Sequence, residues 1–223
     1  MVIVNKTSPE QDGNNRNLLE NKETIPQEWS VRRIKKLCNV LRGASPRPIS
    51  DPKWFSTQSD IGWVRISDVT KSQRILTKTE QYVSEEGRSK SRLVKSNNII
   101  MSICATVGKP IYTGFDVCIH DGFVVFDNLR VNKEYFYYLL EKIENRWIKY
   151  GQTGSQMNLN TNIVGNEKVL IPDSYTEQQK IADILSTWDK AIELKEQLID
   201  QKKEQKKGLM QKLLTGEVRL PGF

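Results

Sequence analysis

Few residues in this sequence could carry acid–base or metal chemistry. His120 is its only histidine, which leaves little room for a histidine-based triad, a histidine zinc cage or an HExxH site. Cys38, Cys104 and Cys118 form no CxxC pair, and an odd number without ligand spacing reads as buried reduced thiols. Gly108-Lys109 lacks the earlier glycine of a phosphate-binding loop, and neither GxGxxG nor an NPPY-type methyltransferase motif occurs. Pro172-Asp173 with Glu193-Leu194-Lys195 follows the residue order of a PD…ExK nuclease centre, but its second half falls in a heptad-patterned segment where charged residues are ordinary. Asp116, Asp121 and Asp127 alternate with apolar residues around turns and read as solvated carboxylates.

The elements that must position any site differ along the chain. Residues 1–24 are polar and aperiodic and read as a flexible arm. From Ile25-Pro26 onward, Trp29, Val31, Ile34, Leu37, Val40 and Leu41 recur at helix-like spacing up to Gly43. Gly43 to Pro48 is a proline-stiffened loop carrying Arg47, with Arg42 at its entrance. Short strand-like runs follow: Trp63 to Ile66, Asn98 to Val107, Ile111 to Thr113, Val117 to Ile119 and Gly122 to Phe126. Glu85 to Arg92 reads as a polar basic loop, Asn132 to Tyr150 as an amphipathic helix, Gly151 to Gln156 as another loop, and Lys168 to Pro172 as a last strand. The fold class expected is α+β: a mostly β domain over 25–176 with short helices, then one long C-terminal helix.

That helix spans residues 177–214, with Thr176 and Gln179 offering a capping box and residues 215–223 left as a tail. Ile181, Leu185, Trp188, Ile192, Ile199, Leu209 and Leu213 fall on a heptad stripe that also holds Lys195, Lys202 and Lys206. At ~1.5 Å per residue the helix runs roughly 57 Å, too far to bury its stripe on a small domain. It calls for a second long helix, from another copy or another protein. A parallel pair would stack its lysines on one another, so an antiparallel coiled coil is expected.

The 223 residues carry a formal net charge of +7, with 37% hydrophobic and 27% charged residues. The mean hydropathy is -0.56 and the pI is near 9.2. No apolar run approaches the ~20 residues of a membrane span, and the short apolar start is no signal peptide, so a soluble cytoplasmic protein is expected. The whole excess of +7 lies within residues 25–176. A basic domain joined to a nearly neutral helix reads as a polyanion-binding module with an assembly module.

In order along the chain, six motifs resemble those of the specificity (S) subunit of type I restriction-modification systems. They are Ile25-Pro26-Gln27-Glu28-Trp29, Gly62 to Val69 with its W-x-R-x-x-D strand, Asn98 to Gly108, Gly151 to Gln156, Ile171-Pro172 with Glu177-Gln178-Gln179, and Leu213 to Phe223. The resemblance implies DNA target recognition domains, each reading one part of a split site, with conserved helices paired antiparallel between them. This chain holds one of each, so the resemblance implies a half-length subunit, either a homodimer or a piece of a longer product. It further implies double-stranded DNA, methyltransferase (M) subunits and restriction (R) subunits as partners, and no membrane. S-adenosylmethionine, ATP and Mg²⁺ would be bound by those partners, with no cofactor and no catalytic or metal site in this chain. DNA contacts are then expected from Arg42, Ser45 and Arg47; Arg65; Arg88, Lys90, Ser91 and Arg92; Lys109 and Tyr112; and Gln152, Thr153, Ser155 and Gln156. Two other readings compete with this one: a coiled-coil adaptor that binds protein only, and a small nuclease on the PD…ExK pattern.

Overall fold

The computed structural model of the chain describes residues 25–150 and 159–222. The expected flexible arm (1–24) and the loop holding Gln152, Thr153, Ser155 and Gln156 lie outside the described residues. The chain divides into two compact units, one ending at Gln179 and one beginning at Lys180.

The first unit opens with β1 (Trp29–Arg33), the single-turn α1 (Ile34–Leu37) and β2 (Asn39–Arg42). This corrects the helix expected over 29–41. Only the Ile34–Leu37 spacing is a helical turn. Val31 and Val40 are β-branched, and partner strands distant in sequence claim both flanks. Next come β3 (Gly62–Val64), α2 (Ile66–Lys71), β4 (Ile75–Leu76), β5 (Gln81–Tyr82), α3 (Glu85–Ser89) and β6 (Arg92–Val94). Helix α3 and strand β6 replace the loop expected over 85–92. Ser84 caps α3 by accepting the Gly87 amide at 3.1 Å, and Glu85 and Glu86 sit in its first turn, where the helix dipole favours them.

The remaining elements are β7 (Ile99–Ser102), β8 (Pro110–Thr113), β9 (Val117–Ile119), β10 (Phe123–Asp127), α4 (Lys133–Lys142), a 3₁₀ segment (Glu144–Tyr150), α5 (Thr161–Asn166) and β11 (Lys168–Pro172). Strands β7 to β9 are buried along their whole length. This explains why they read as continuous apolar runs rather than as alternating ones.

Among the described residues three sheets form: β2-β10-β7-β8-β4, β5-β3-β9-β6, and the pair β1-β11. Strand alternation assigns the faces. Trp63 and Leu93 both stand opposite Cys118, and Trp63, Val83 and Cys118 form one small cluster. The other face contributes Val64, Val94, Val117 and Ile119 to the main core, which they share with Ile100, Ile111, Phe123 and Val125 of the larger sheet. Beyond that sheet lies α4, whose Phe136 meets Phe126 edge-on at 5.2 Å. The architecture is thus α+β, as the patterning predicts.

The long helix, α6 (Tyr175–Leu214), has 40 residues. Its cap differs from the expected Thr176 box: the Glu177 amide donates to Ser174 Oγ at 3.4 Å. Gln178 and Gln179 turn instead to α4. Gln178 Oε1 accepts the Asn132 amide at 2.8 Å and Gln179 Oε1 accepts Asn132 Nδ2 at 2.5 Å. In the second unit Trp188, Ile192, Ile199, Leu209 and Leu213 are exposed. No helix among the described residues is long and apolar enough to cross a membrane.

Gly43 and Gly208 test this packing with opposite signs. A Cβ on Gly43 would stand 2.0 Å from the His120 carbonyl oxygen, whereas one on Gly208 meets nothing within 4 Å. Gly43→Ala should destabilise the first unit by about 2 kcal/mol or more in urea titration. Gly208→Ala should strengthen the helix by roughly 0.5–1 kcal/mol, read by circular dichroism. Phe126→Ala, at a site 1% exposed, should cost about 3–5 kcal/mol.

Candidate nucleic-acid interface

The register of the smaller sheet gathers two arginines and the histidine at one end. Val64 and Arg92 both stand opposite Ile119, so Arg65, Arg92 and His120 emerge together where β3 and β9 end and β6 begins. From the larger sheet, Arg42 pairs with Val124 near the start of β10, which places it beside the same β9–β10 turn. That turn, His120-Asp121-Gly122, carries the chain from the smaller sheet into the larger one, and the Phe123 amide closes it by donating to the His120 carbonyl at 3.0 Å.

Asp121 organises this end. Its Oδ1 accepts the Ser45 hydroxyl at 2.8 Å, its Oδ2 lies 3.2 Å from an Arg47 guanidinium nitrogen, and its backbone carbonyl accepts Arg42 Nε at 2.7 Å. Arg92 Nε donates in turn to the Arg42 carbonyl, and Arg65 Nε donates to Gln81 Oε1 at 2.9 Å. Partial burial alone would raise the Asp121 carboxyl. The Ser45 hydroxyl, its own amide, Arg47 and His120 outweigh that and hold it below the ordinary carboxylate range. The Arg47 side chain stays 73% exposed in its ion pair. Such a surface pair contributes at most about 1 kcal/mol, so its guanidinium can exchange the carboxylate for a phosphate at little cost.

Arg42, Ser45, Arg47, Arg65 and Arg92 are therefore brought together, whereas the other expected residues among the described ones are not. Arg88 pairs with Glu85 of its own helix at 3.3 Å, and Lys90 is exposed at the end of α3. The Ser91 hydroxyl donates to the Gly87 carbonyl at 2.7 Å. Lys109 Nζ donates to the Ser72 carbonyl at 2.9 Å. Tyr112 is a correction: it is 6% exposed, it stacks on Tyr137 at 4.9 Å, and its hydroxyl donates to Glu134 at 2.8 Å. Burial pushes its phenol up to about 12. Lying in a strand covered on both faces, it has no route to the surface.

Sequence reasoning missed Asp121, read as a solvated turn carboxylate, and Gln81. The Asp-Gly dipeptide between two apolar runs was the available signal for the first. Asp116 is likewise engaged, accepting Lys95 Nζ at 2.6 Å and the Ser96 amide at 2.9 Å. Of the nuclease-like pattern, Asp173 is held by Ser30 and Arg32, both at 2.6 Å, and Glu193 accepts Gln197 Nε2 at 3.2 Å. Among the described residues no group of three or more His, Cys, Asp or Glu could hold a metal ion.

Residues 26–203 match the family model described as "Type I restriction modification DNA specificity domain". Three specificity subunits of type I restriction enzymes from Methanocaldococcus jannaschii are similar. MjaIX is 28% identical over 77% of this chain and 40% of its own length. MjaVIII is 24% identical over 88% and 48%, and the putative MjaX subunit 29% identical over 86% and 46%. The chain thus spans about half the length of the curated relatives it matches. Among solved structures, the fold resembles a chain from work on assembly and conformational transition of the type I R-M system, with TM-score 0.66 and 15% identity over 91% of this chain and 51% of that one. It also resembles the HsdS subunit from Thermoanaerobacter tengcongensis, with TM-score 0.61 and 16% identity over 83% and 46%. With the match reaching from the first strand into the long helix, the chain belongs to the type I restriction modification DNA specificity domain family.

Proposed function

We propose that this chain is a DNA-recognition subunit that reads one half of a bipartite site and directs partner methyltransferase and restriction subunits to it. The observation that carries the reading is the convergence of Arg42, Arg47, Arg65 and Arg92 on one end of the family-matched domain. Phosphate contacts from these arginines would give salt-dependent affinity and fix the register. Ser45 and the exposed guanidiniums would read base edges. Residues 25–176 would form the target recognition domain, 177–214 a spacer and dimerisation helix, and 215–223 a tail. Methyl transfer and cleavage, with S-adenosylmethionine, ATP and Mg²⁺, would belong to the partner subunits.

The exposed stripe on α6 supports self-pairing. Residues 176–194 carry a net charge of -2 and residues 195–214 a net +3. Two antiparallel copies would set each acidic half against a basic half, whereas parallel copies would oppose like charges. Lysine stems at 195, 202 and 206 could then lie along the partner's apolar surface with their ammonium groups in water. A two-fold axis across the helices would present two identical reading domains in inverted orientation, so the site should be an interrupted palindrome.

Methylome sequencing of a host carrying the gene should show such a palindrome around an unread spacer; a methylated site without inverted symmetry would refute the symmetric pairing. In salt titrations of DNA binding, Arg42→Ala, Arg47→Ala, Arg65→Ala and Arg92→Ala should each flatten the slope by about 1, with Arg88→Ala leaving it unchanged. Slopes indifferent to all four would remove this face from the interface. Trp188→Asp, at a position 66% exposed, should leave the first unit folded and convert a dimer to a monomer in sedimentation. A wild-type monomer at assembly concentrations would overturn the pairing.

A further inference from the structure

The turn that gathers the arginines is itself held by the only histidine in the chain. His120 Nδ1 accepts the Gly122 amide at 2.9 Å. Its ring meets Phe123 edge-on at 4.8 Å and Trp63 at 6.0 Å. A nitrogen that accepts an N–H carries no proton, so the imidazole is neutral with its proton on Nε2. The same Nδ1 lies 3.8 Å from Asp121 Oδ1, the oxygen that receives the Ser45 hydroxyl. The two pairings of Nδ1 exclude each other. Bare, it binds the Gly122 amide; protonated, it repels that amide and attracts the carboxylate.

The charged and titratable groups facing the ring come from several elements. Asp121 belongs to its own turn, Arg65 follows β3, and Arg42 of β2 and Cys104 beyond β7 line the same open pocket. Burial disfavours the imidazolium, Asp121 favours it and Arg65 disfavours it, and the balance holds His120 below its ordinary value of 6.5. The unfolded chain therefore binds this proton more readily than the folded one. The stability that neutral His120 lends the turn is present above the ordinary value and is lost as pH falls through the lowered one.

We propose that His120 is a positioning residue for DNA recognition: neutral, it holds the turn that presents Arg42, Ser45 and Arg47, and on gaining a proton its Nδ1 exchanges the Gly122 amide for the Asp121 carboxylate and releases that arrangement. The proposal rests on the DNA-reading function. It predicts a pH profile opposite to that of bulk electrostatics, which strengthens phosphate attraction as positive charge accumulates in acid.

Two measurements on the full chain test it. In the absence of DNA, an NMR titration between about pH 5 and pH 8 follows the His120 ring, the Gly122 amide and the Arg47 side chain. All three should move with one midpoint below the ordinary histidine value. Asp121→Asn should lower that midpoint further, because it removes the carboxylate that favours the proton. His120→Asn, whose Oδ1 can accept the same amide but does not titrate, should abolish the movement. A ring that titrates while Gly122 and Arg47 stay still overturns the proposal.

The second measurement uses a duplex carrying the site found by methylome sequencing. Affinity of the wild type should fall roughly tenfold across the titration, a loss of about 1.4 kcal/mol. His120→Asn should give a flat profile whatever its absolute affinity, and binding to an unrelated duplex should strengthen in acid. A flat wild-type profile with intact specific binding overturns the positioning role. Failure to bind the duplex at any pH overturns the DNA-reading function instead, and the titration without DNA still decides the exchange at Nδ1.

Discussion

Two amide hydrogen bonds tie the ends of both main sheets to one short loop. The Gly43 amide donates to the Phe123 carbonyl at 2.9 Å and the Ala44 amide to the Ile119 carbonyl at 3.0 Å. They bring one backbone against another so closely that no side chain fits at position 43. Everything on the candidate interface depends on this contact. It sets Ser45 and Arg47 over the β9–β10 turn, brings Arg42 beside Asp121, and leaves the Arg92 guanidinium within reach of the Arg42 carbonyl. The arginines reach solvent above a backbone that these two amides fix, and Arg42 and Arg92 add bonds of their own to the Asp121 and Arg42 carbonyls.

The domain uses arginine in two distinct ways. Arg74 lies among aromatic rings, 4.7 Å from the Tyr137 centroid and 5.0 Å from that of Tyr138. It also forms an ion pair with Glu134 and donates to the Tyr138 hydroxyl at 2.7 Å. This cation is a structural clamp between α4 and the residues entering β4, its charge offset by the ring faces and a carboxylate. By contrast, Arg47 makes one exposed ion pair, with Asp121, and Arg65 donates from two nitrogens to the neutral Gln81 amide oxygen, so both guanidiniums can turn to a phosphate at little cost. Net charge alone cannot separate the two uses; burial does.

Local chemistry that agrees with tertiary context was legible in the sequence. The uninterrupted runs at Ile99 and Val117 read as strands because both of their faces are covered, and the proline-rich stretch after Gly43 read as a loop. The long heptad pattern read as one helix because no proline interrupts it. What was hidden depended on partners far along the chain. Trp29 to Leu41 mimics a helix, yet β11 and β10 draw its two flanks into strands. Tyr112 looked available because strand period alone does not tell which face a helix will cover. Asp121 looked solvated because its partners, Ser45 and Arg47, lie more than seventy positions away.

Among the described residues strand β1 pairs only with β11, so Trp29 meets Pro172 and Arg33 meets Lys168. On the ribosome, the first strand of the domain is made long before its mate. Until residues 168–172 emerge, its amides and carbonyls have no ladder to join, and the nascent domain carries an open edge of the kind that invites wrong pairing between chains. Such a closure is non-local and slow by nature. Translation must therefore pass the last strand before the domain can seal, and a pause within the following helix would give it time to do so.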